Sequence, residues 1–273
     1  MATHLTAGQP AVSVLRFGVR RFPLVCRRRM RVGRLATVSL SLAAMIDSLA
    51  DLPQLGVGSS RLFLCRHGET NSNAQSLLQG SGVDAPLNDV GRTQAWALAR
   101  SLSTIEMDTV ASSTLSRAVE TADLVASCQL GAGAAPERQS YSGLGEMFYG
   151  TLEGLPIADT RDELKRLSDA WAAGDTSVAV GGDGESPDEL LQRARATLWR
   201  DGLLGSRDAG RQVAVVAHST FNRAVLAEAT GQPLGQMFSI PQDNACVNVL
   251  DLDVETGLVT VVALNIKPVS GST

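Results

Sequence analysis

The sequence predicts an α/β protein on a mainly parallel sheet, and three observations carry that prediction. Apolar runs suited to buried strands alternate with segments of helical period along most of the chain. Residues 212–217 form a near-continuous run of β-branched and small apolar side chains, the composition of a strand covered on both faces. At three places, near Cys65, Ser112 and Ala217, a strand-like run gives way to residues able to hold an anion. In open α/β sheets, ligands bind at the carboxyl ends of strands.

The chain has 273 residues, of which 44% are hydrophobic, enough for one large or two small domains with a sizeable core. Its net charge of −4 hides an asymmetry. The first 46 residues contain eight arginines (16, 20, 21, 27, 28, 29, 31 and 34) and no Asp or Glu, so the remainder carries about −12. That balance argues against nucleic acid as a partner of the folded part. The basic leader, 1–46, has the composition of an organellar transit peptide for chloroplast or mitochondrion. A functional basic arm, a secretory signal, or initiation at Met45 in a cytoplasmic protein are its alternatives. Residues 35–46 are apolar but too few to span a bilayer, so no stable membrane insertion is expected. The four cysteines are widely spaced, with no zinc-like pattern, and are expected as reduced thiols; neither metal nor cofactor is called for.

Taken in order, residues 47–60 close in Gly-Val-Gly-Ser-Ser and read as a linker, and the domain is expected over 61–266 with a tail at 267–273. Residues 61–65 predict the first strand, and 79–88 a polar loop. Asn88 is positioned to cap a helix running to about Leu102. A short strand at 109–112 precedes a second helix, whose first turn holds Arg117. The positive end of a helix dipole normally prefers acids, so a cation there makes sense when an anion sits in front of it. Helical period returns over 156–172. Ser186, Pro187 and Glu189 then spell a capping box for a helix reaching about Leu204. After the strand at 212–217 comes a helix over 221–230, closed by Gly231, and then strands at 246–252 and 258–264.

The residues at the strand ends fit phosphoryl chemistry. Arg66 with His67, Arg117, and His218 lie on three separate segments, and the only other histidine, His4, is in the leader. Two arginines offer fork-shaped, bidentate donors to a phosphate. Their field also keeps a neighbouring imidazole neutral, and so nucleophilic, near pH 7. Glu146, among apolar and aromatic neighbours, is the candidate proton donor, with Glu153 as its rival.

These motifs resemble those of the histidine phosphatase superfamily, the phosphoglycerate-mutase-like proteins. Arg66-His67-Gly68 matches the family hallmark, and Glu69, Thr70 and Asn73 match its continuation. Further matches are Gln79-Gly80, Pro86-Leu87, Gly91 with Gln94-Ala95, residues 112–122, 144–154, Gly184-Glu185-Ser186 and 216–223. Thr114, Gly145, Leu152 and Ser219 depart from the common pattern without removing a catalytic group. The absence of a long insert resembles the short phosphatase branch.

The resemblance implies a three-layer α/β/α sandwich and a metal-independent phosphatase acting through a phosphohistidine on His67. It implies Glu146 as the acid, with Arg66, Asn73, Arg117 and His218 binding the phosphate. Gln79, Gly80 and Ser219 are weaker candidates. The expected substrate is a small phosphorylated metabolite. Phosphoglycerate mutase activity, protein phosphatase activity and a non-catalytic vestigial pocket are the alternatives. Substrate determinants are expected between Met147 and Glu185, where Arg161, Lys165 and Arg166 either meet a second anion or form a solvated helix face.

Overall fold

A computed structural model describes residues 46, 48–129, 134–200, 203–204 and 209–268. The transit-peptide reading of the leader falls outside them, as does most of the tail. Six strands form one sheet in the order β3-β2-β4-β1-β5-β6. The strands are β1 (Ser59–Arg66), β2 (Thr109–Ser112), β3 (Glu137–Ser140), β4 (Gln212–Ala217), β5 (Val247–Asp253) and β6 (Val259–Ile266). Pairs β1·β4, β2·β4 and β2·β3 are parallel, while β5 runs antiparallel to both β1 and β6. The sheet is therefore mixed, with β5 the one reversed strand.

Side-chain alternation along the central strands divides the core into two layers. Leu62 and Leu64 of β1, with Val213, Val215 and Ala217 of β4, enter one apolar cluster. Phe63 and Cys65, with Ala214 and Val216, enter the other. The first layer is covered by α4 (Arg161–Ala172), α5 (Pro187–Arg195) and α6 (Ser219–Thr230), through residues such as Leu167, Leu190 and Phe221. The second is covered by α2 (Asp89–Leu102) and α3 (Ser116–Cys128), through Leu98, Leu102 and Val125. A four-residue α1 (Asn71–Ala74) follows β1. Because both faces of the sheet are buried, the expected three-layer sandwich follows directly from the double-sided apolar pattern of β1 and β4.

The helix starts form as their sequences dictate. Asn88 Oδ1 accepts from Gly91 N at 2.7 Å. Ser186 and Glu189 bond reciprocally in the capping box, with Pro187 as the first helical residue. Gly231 closes α6 in the left-handed region, at φ 71°. Some boundaries move. The helix after Pro156 begins only at Arg161, and α5 gives way at Ala196 to a short π-helical stretch ending at Arg200. In the segment expected as linker, Leu49 and Leu52 pack on the second core layer, and Pro53 O accepts from Arg61 Nη1. Strand β3 has no apolar alternation, because it is a half-exposed edge strand whose pairing comes from the backbone of β2. Of the cysteines within the described residues, Cys65 and Cys246 are buried and Cys128 is half-buried; all three are free thiols.

Candidate active site

Strands β1 and β4 pair in register up to Arg66 and Ala217, so the residues that follow each strand emerge side by side. His67 and His218 consequently meet, with ring centroids 5.1 Å apart. Strand β2 pairs with β4 up to Ser112 opposite Val216, which brings Ser113 and the start of α3 to the same edge. His67, Arg117 and His218 are all buried, at 3%, 1% and 0% exposure.

His67 Nδ1 lies 2.6 Å from the carbonyl of Gly68. A carbonyl only accepts, so Nδ1 carries the proton and Nε2 carries the lone pair. Burial, followed by the positive charges of Arg117 and Arg66, holds this imidazole well below its usual pKa. His218 is depressed in the same direction, again chiefly by burial and then by Arg117. Both rings are therefore neutral near pH 7.

Arg117 donates from Nη1 to Val83 O and from Nη2 to Gly80 O, at 2.9 and 3.1 Å. Arg66 Nη1 donates to Gln242 O at 2.7 Å. Each guanidinium is thus tied to a backbone carbonyl at its tip, while its Nε remains without a protein partner. Among the described residues, six buried side-chain polar atoms have no partner, and four belong to expected site residues: Arg66 Nε, Arg117 Nε, His218 Nδ1 and Gln79 Nε2. Unpaired buried polar groups are rare and costly, and the guanidinium and amide N–H groups of Arg66, Arg117 and Gln79 among them are donors suited to an anion.

Glu146 is 5% exposed and lies at the start of α6. Its Oε2 accepts from Thr220 N at 3.0 Å, and its Oε1 from Phe221 N at 3.1 Å and from its neighbour Met147 N at 2.8 Å. Its apolar neighbours Leu144 and Met147 are buried as expected, and within that setting the carboxyl is held by two backbone donors at the N-terminus of α6 and by Met147 N. Its charge acts on both Arg66 and Arg117. Glu153 takes a different part, accepting from Tyr149 N at 3.0 Å against the loop that carries Gly80 and Gly82. The two acids differ in their partners, Glu146 at the N-terminus of α6 and Glu153 on a loop, but the charge of Glu153 also acts on Arg117 and burial raises its pKa.

The remaining expected residues divide. Gln79 accepts from Thr70 Oγ1 through Oε1, leaving its Nε2 in the unpartnered set. Gly80 contributes a carbonyl to Arg117. Asn73 Oδ1 is occupied by Thr70 N and Asn244 Nδ2, both at 3.2 Å, and Asn73 forms the capping box of α1. Ser219 Oγ accepts from Arg223 at 2.5 Å. Lys165 pairs with Asp169, and Arg166 with Glu163, on the exposed face of α4. The solvated reading of those cations holds.

Gly68 also has a different reason to be glycine than ligand approach. An added Cβ would stand 2.3 Å from Gly91 O, so it is the backbone of α2 that needs the space.

Several supporting residues escaped the sequence reading. Ser113 Oγ and His218 Nε2 share a 2.6 Å hydrogen bond. Position alone could have flagged Ser113, since it follows β2 as His67 and His218 follow their strands. Thr121 Oγ1 accepts from Gly68 N at 3.2 Å. Gln242, whose carbonyl holds Arg66, is fixed in turn by Asn222 and Asn248. Arg193 donates to the carbonyls of Gly143, Gly145 and Glu146 and to both oxygens of Glu185. No local signal in α5 marks that convergence.

A buried histidine pair flanked by two arginines and a helix-seated glutamate, at the carboxyl edge of a three-layer sheet, is a site arranged to hold an anion such as a phosphoryl group. Residues 62–266 match the histidine phosphatase superfamily (branch 1), and the chain belongs to that family. It is a phosphoric monoester hydrolase of the histidine phosphatase type. Among its relatives is phosphoglycerate mutase-like protein 4 of Arabidopsis thaliana, 32% identical over 63% of this chain and 72% of that protein. Another is the metal-independent phosphoserine phosphatase of Arabidopsis thaliana, 31% identical over 71% of this chain and 76% of that protein. A solved mycobacterial glucosyl-3-phosphoglycerate phosphatase superposes with a TM-score of 0.63 at 28% identity, covering 76% of this chain and 99% of that one.

Proposed function

We propose that the protein hydrolyses a small phosphomonoester, without a metal, through a phosphohistidine on His67. The observation that carries this reading is the set of unpartnered buried nitrogens on Arg66, Arg117 and His218, close to a neutral His67. The lone pair on His67 Nε2 attacks phosphorus in line. The N–P bond forms as the ester P–O bond breaks, and Glu146 delivers a proton to the departing alcohol oxygen. Water then attacks phosphorus, Glu146 takes its proton, and the N–P electrons return to His67, releasing inorganic phosphate. Arg66, Arg117 and His218 bind the non-bridging oxygens and stabilise the charge that develops on them. Gln79 Nε2 supports a further donor role for that residue.

Two relatives support a small-molecule substrate, since one is named a phosphoserine phosphatase and the other a glucosyl-3-phosphoglycerate phosphatase. Rapid-quench trapping with a ³²P-labelled substrate is the test. An acid-labile, base-stable phosphoenzyme is expected in the wild type and none in His67→Ala. Full turnover by His67→Ala would refute the mechanism, and isomerisation of 3-phosphoglycerate without phosphate release would replace hydrolysis by mutase chemistry. The basic leader is proposed to direct import into an organelle, and localisation of a leader–reporter fusion tests it.

A further inference from the structure

Beside Glu146 opens a cleft of about 400 Å³, lined by Ser81, Ser142, Phe148, Glu185, Glu189 and Arg193 together with glycines. Two features place it next to the candidate proton donor and the loop that receives Arg117. Glu146 lines it, and Ser81 follows Gly80, whose carbonyl receives Arg117. Ser81 N also donates to Met147 O, so the loop that receives Arg117 forms the near wall of the cleft.

The charges in this wall are one-sided. Arg193 is the one cation among the lining residues, and all its N–H groups are engaged, by both oxygens of Glu185 at 2.6 and 2.9 Å and by three backbone carbonyls. It has no donor left for a ligand. Glu189 and Glu146 share the lining with it. Hydrogen bonds from the Ser186 backbone and hydroxyl lower the pKa of Glu189 and keep it ionised. Phe148, 37% exposed, supplies an apolar ring, and Ser81 and Ser142 supply hydroxyls. No cation of α4 is among the lining residues, and Lys165 and Arg166 are paired with Asp169 and Glu163 on their own helix.

We infer that this cleft selects phosphomonoesters of uncharged or amine-bearing hydroxylated alcohols and rejects leaving groups with a second anion. The inference rests on the phosphatase reading above. A carboxylate or second phosphate would enter beside the ionised Glu189 with no free cation among the lining residues to meet it, whereas a hydroxylated carbon chain can bond to the serines and lie on Phe148.

The test compares kcat/KM for glycerol 3-phosphate and 3-phosphoglycerate, which share a three-carbon frame but differ by a carboxylate, with p-nitrophenyl phosphate as reference. The wild type is expected to prefer glycerol 3-phosphate tenfold or more. Ser142→Arg, which places a cation at the exposed rim, is expected to narrow that preference at least fivefold. Because both esters are read on the same protein, any loss of folded enzyme cancels from the ratio. A smaller wild-type preference, or one that Ser142→Arg leaves in place, overturns the inference. Failure to hydrolyse even p-nitrophenyl phosphate would instead overturn the phosphatase reading beneath it.

Discussion

Replacing Arg193 with methionine keeps most of the stem length and removes every polar contact of the guanidinium. Arg193 and Glu185 side chains are 26% and 14% exposed, so the pair is largely shielded from solvent. Breaking a buried pair costs about 3–5 kcal/mol, and partial exposure lowers that here to about 2–4 kcal/mol. For a domain of this size the loss corresponds to a fall in Tm of about 5–15 °C. The catalytic effect is separate. Three of the lost bonds hold the carbonyls of Gly143, Gly145 and Glu146, the segment that sets where the proton donor stands. A displacement of about 1 Å at a reacting group lowers rate on the order of 100-fold. That loss should appear in kcat with glycerol 3-phosphate, whose alkoxide must be protonated as it leaves. It should be several-fold at most with p-nitrophenyl phosphate, whose phenolate leaves without help. Steady-state kinetics on both substrates, alongside thermal unfolding, measures the two effects. Equal losses on the two substrates, or an unchanged kcat on glycerol 3-phosphate with a lowered Tm, would show that Arg193 braces the fold without positioning Glu146.

Three further outcomes follow from the geometry. Because the folded-state pKa values of His67 and His218 lie well below 6.5, the unfolded chain binds more protons as pH falls below 6.5. Stability is thus fully present above pH 6.5 and declines below it, by about 1.4 kcal/mol per pH unit for each ring. Urea unfolding between pH 7.5 and 5.5 should show this slope reduced by half in His67→Gln, and an unchanged slope would contradict the neutral pair. Gly68→Ala forces a Cβ to within 2.3 Å of Gly91 O, and a loss of about 3 kcal/mol in denaturant unfolding is expected. Ser113→Ala removes the 2.6 Å partner of His218 Nε2, so vanadate inhibition should weaken by roughly tenfold, given about 1–2 kcal/mol for such a bond. An unaltered inhibition constant would mean that Ser113 does not orient His218.

Much of this architecture was legible in local patterns. The double-sided apolar runs of β1 and β4 announce a covered sheet, because a strand buried on both faces has no polar side to show. Caps at Asn88 and Ser186, and the stop at Gly231, are readable because they satisfy backbone groups within a few residues of themselves. Strand β3 was not legible, since Glu137, Arg138, Gln139 and Ser140 have no apolar period and are ordered by β2 alone.

For the site, sequence by itself picked out the candidates: Arg66, His67, Arg117 and His218 at strand ends or a helix start where an anion can be met, and Glu146 in the glycine-rich segment between them. Only the tertiary structure decided how they are used. It seated Glu146 on Thr220 N and Phe221 N, more than 70 positions away along the chain. It also placed Arg193 against the backbone of Glu146 and drew Lys165 and Arg166 of α4 into surface pairs. The physical reason is that residue type sets what a group can donate or accept, whereas pairing, burial and the direction of an N–H bond depend on neighbours that only the folded sheet brings together.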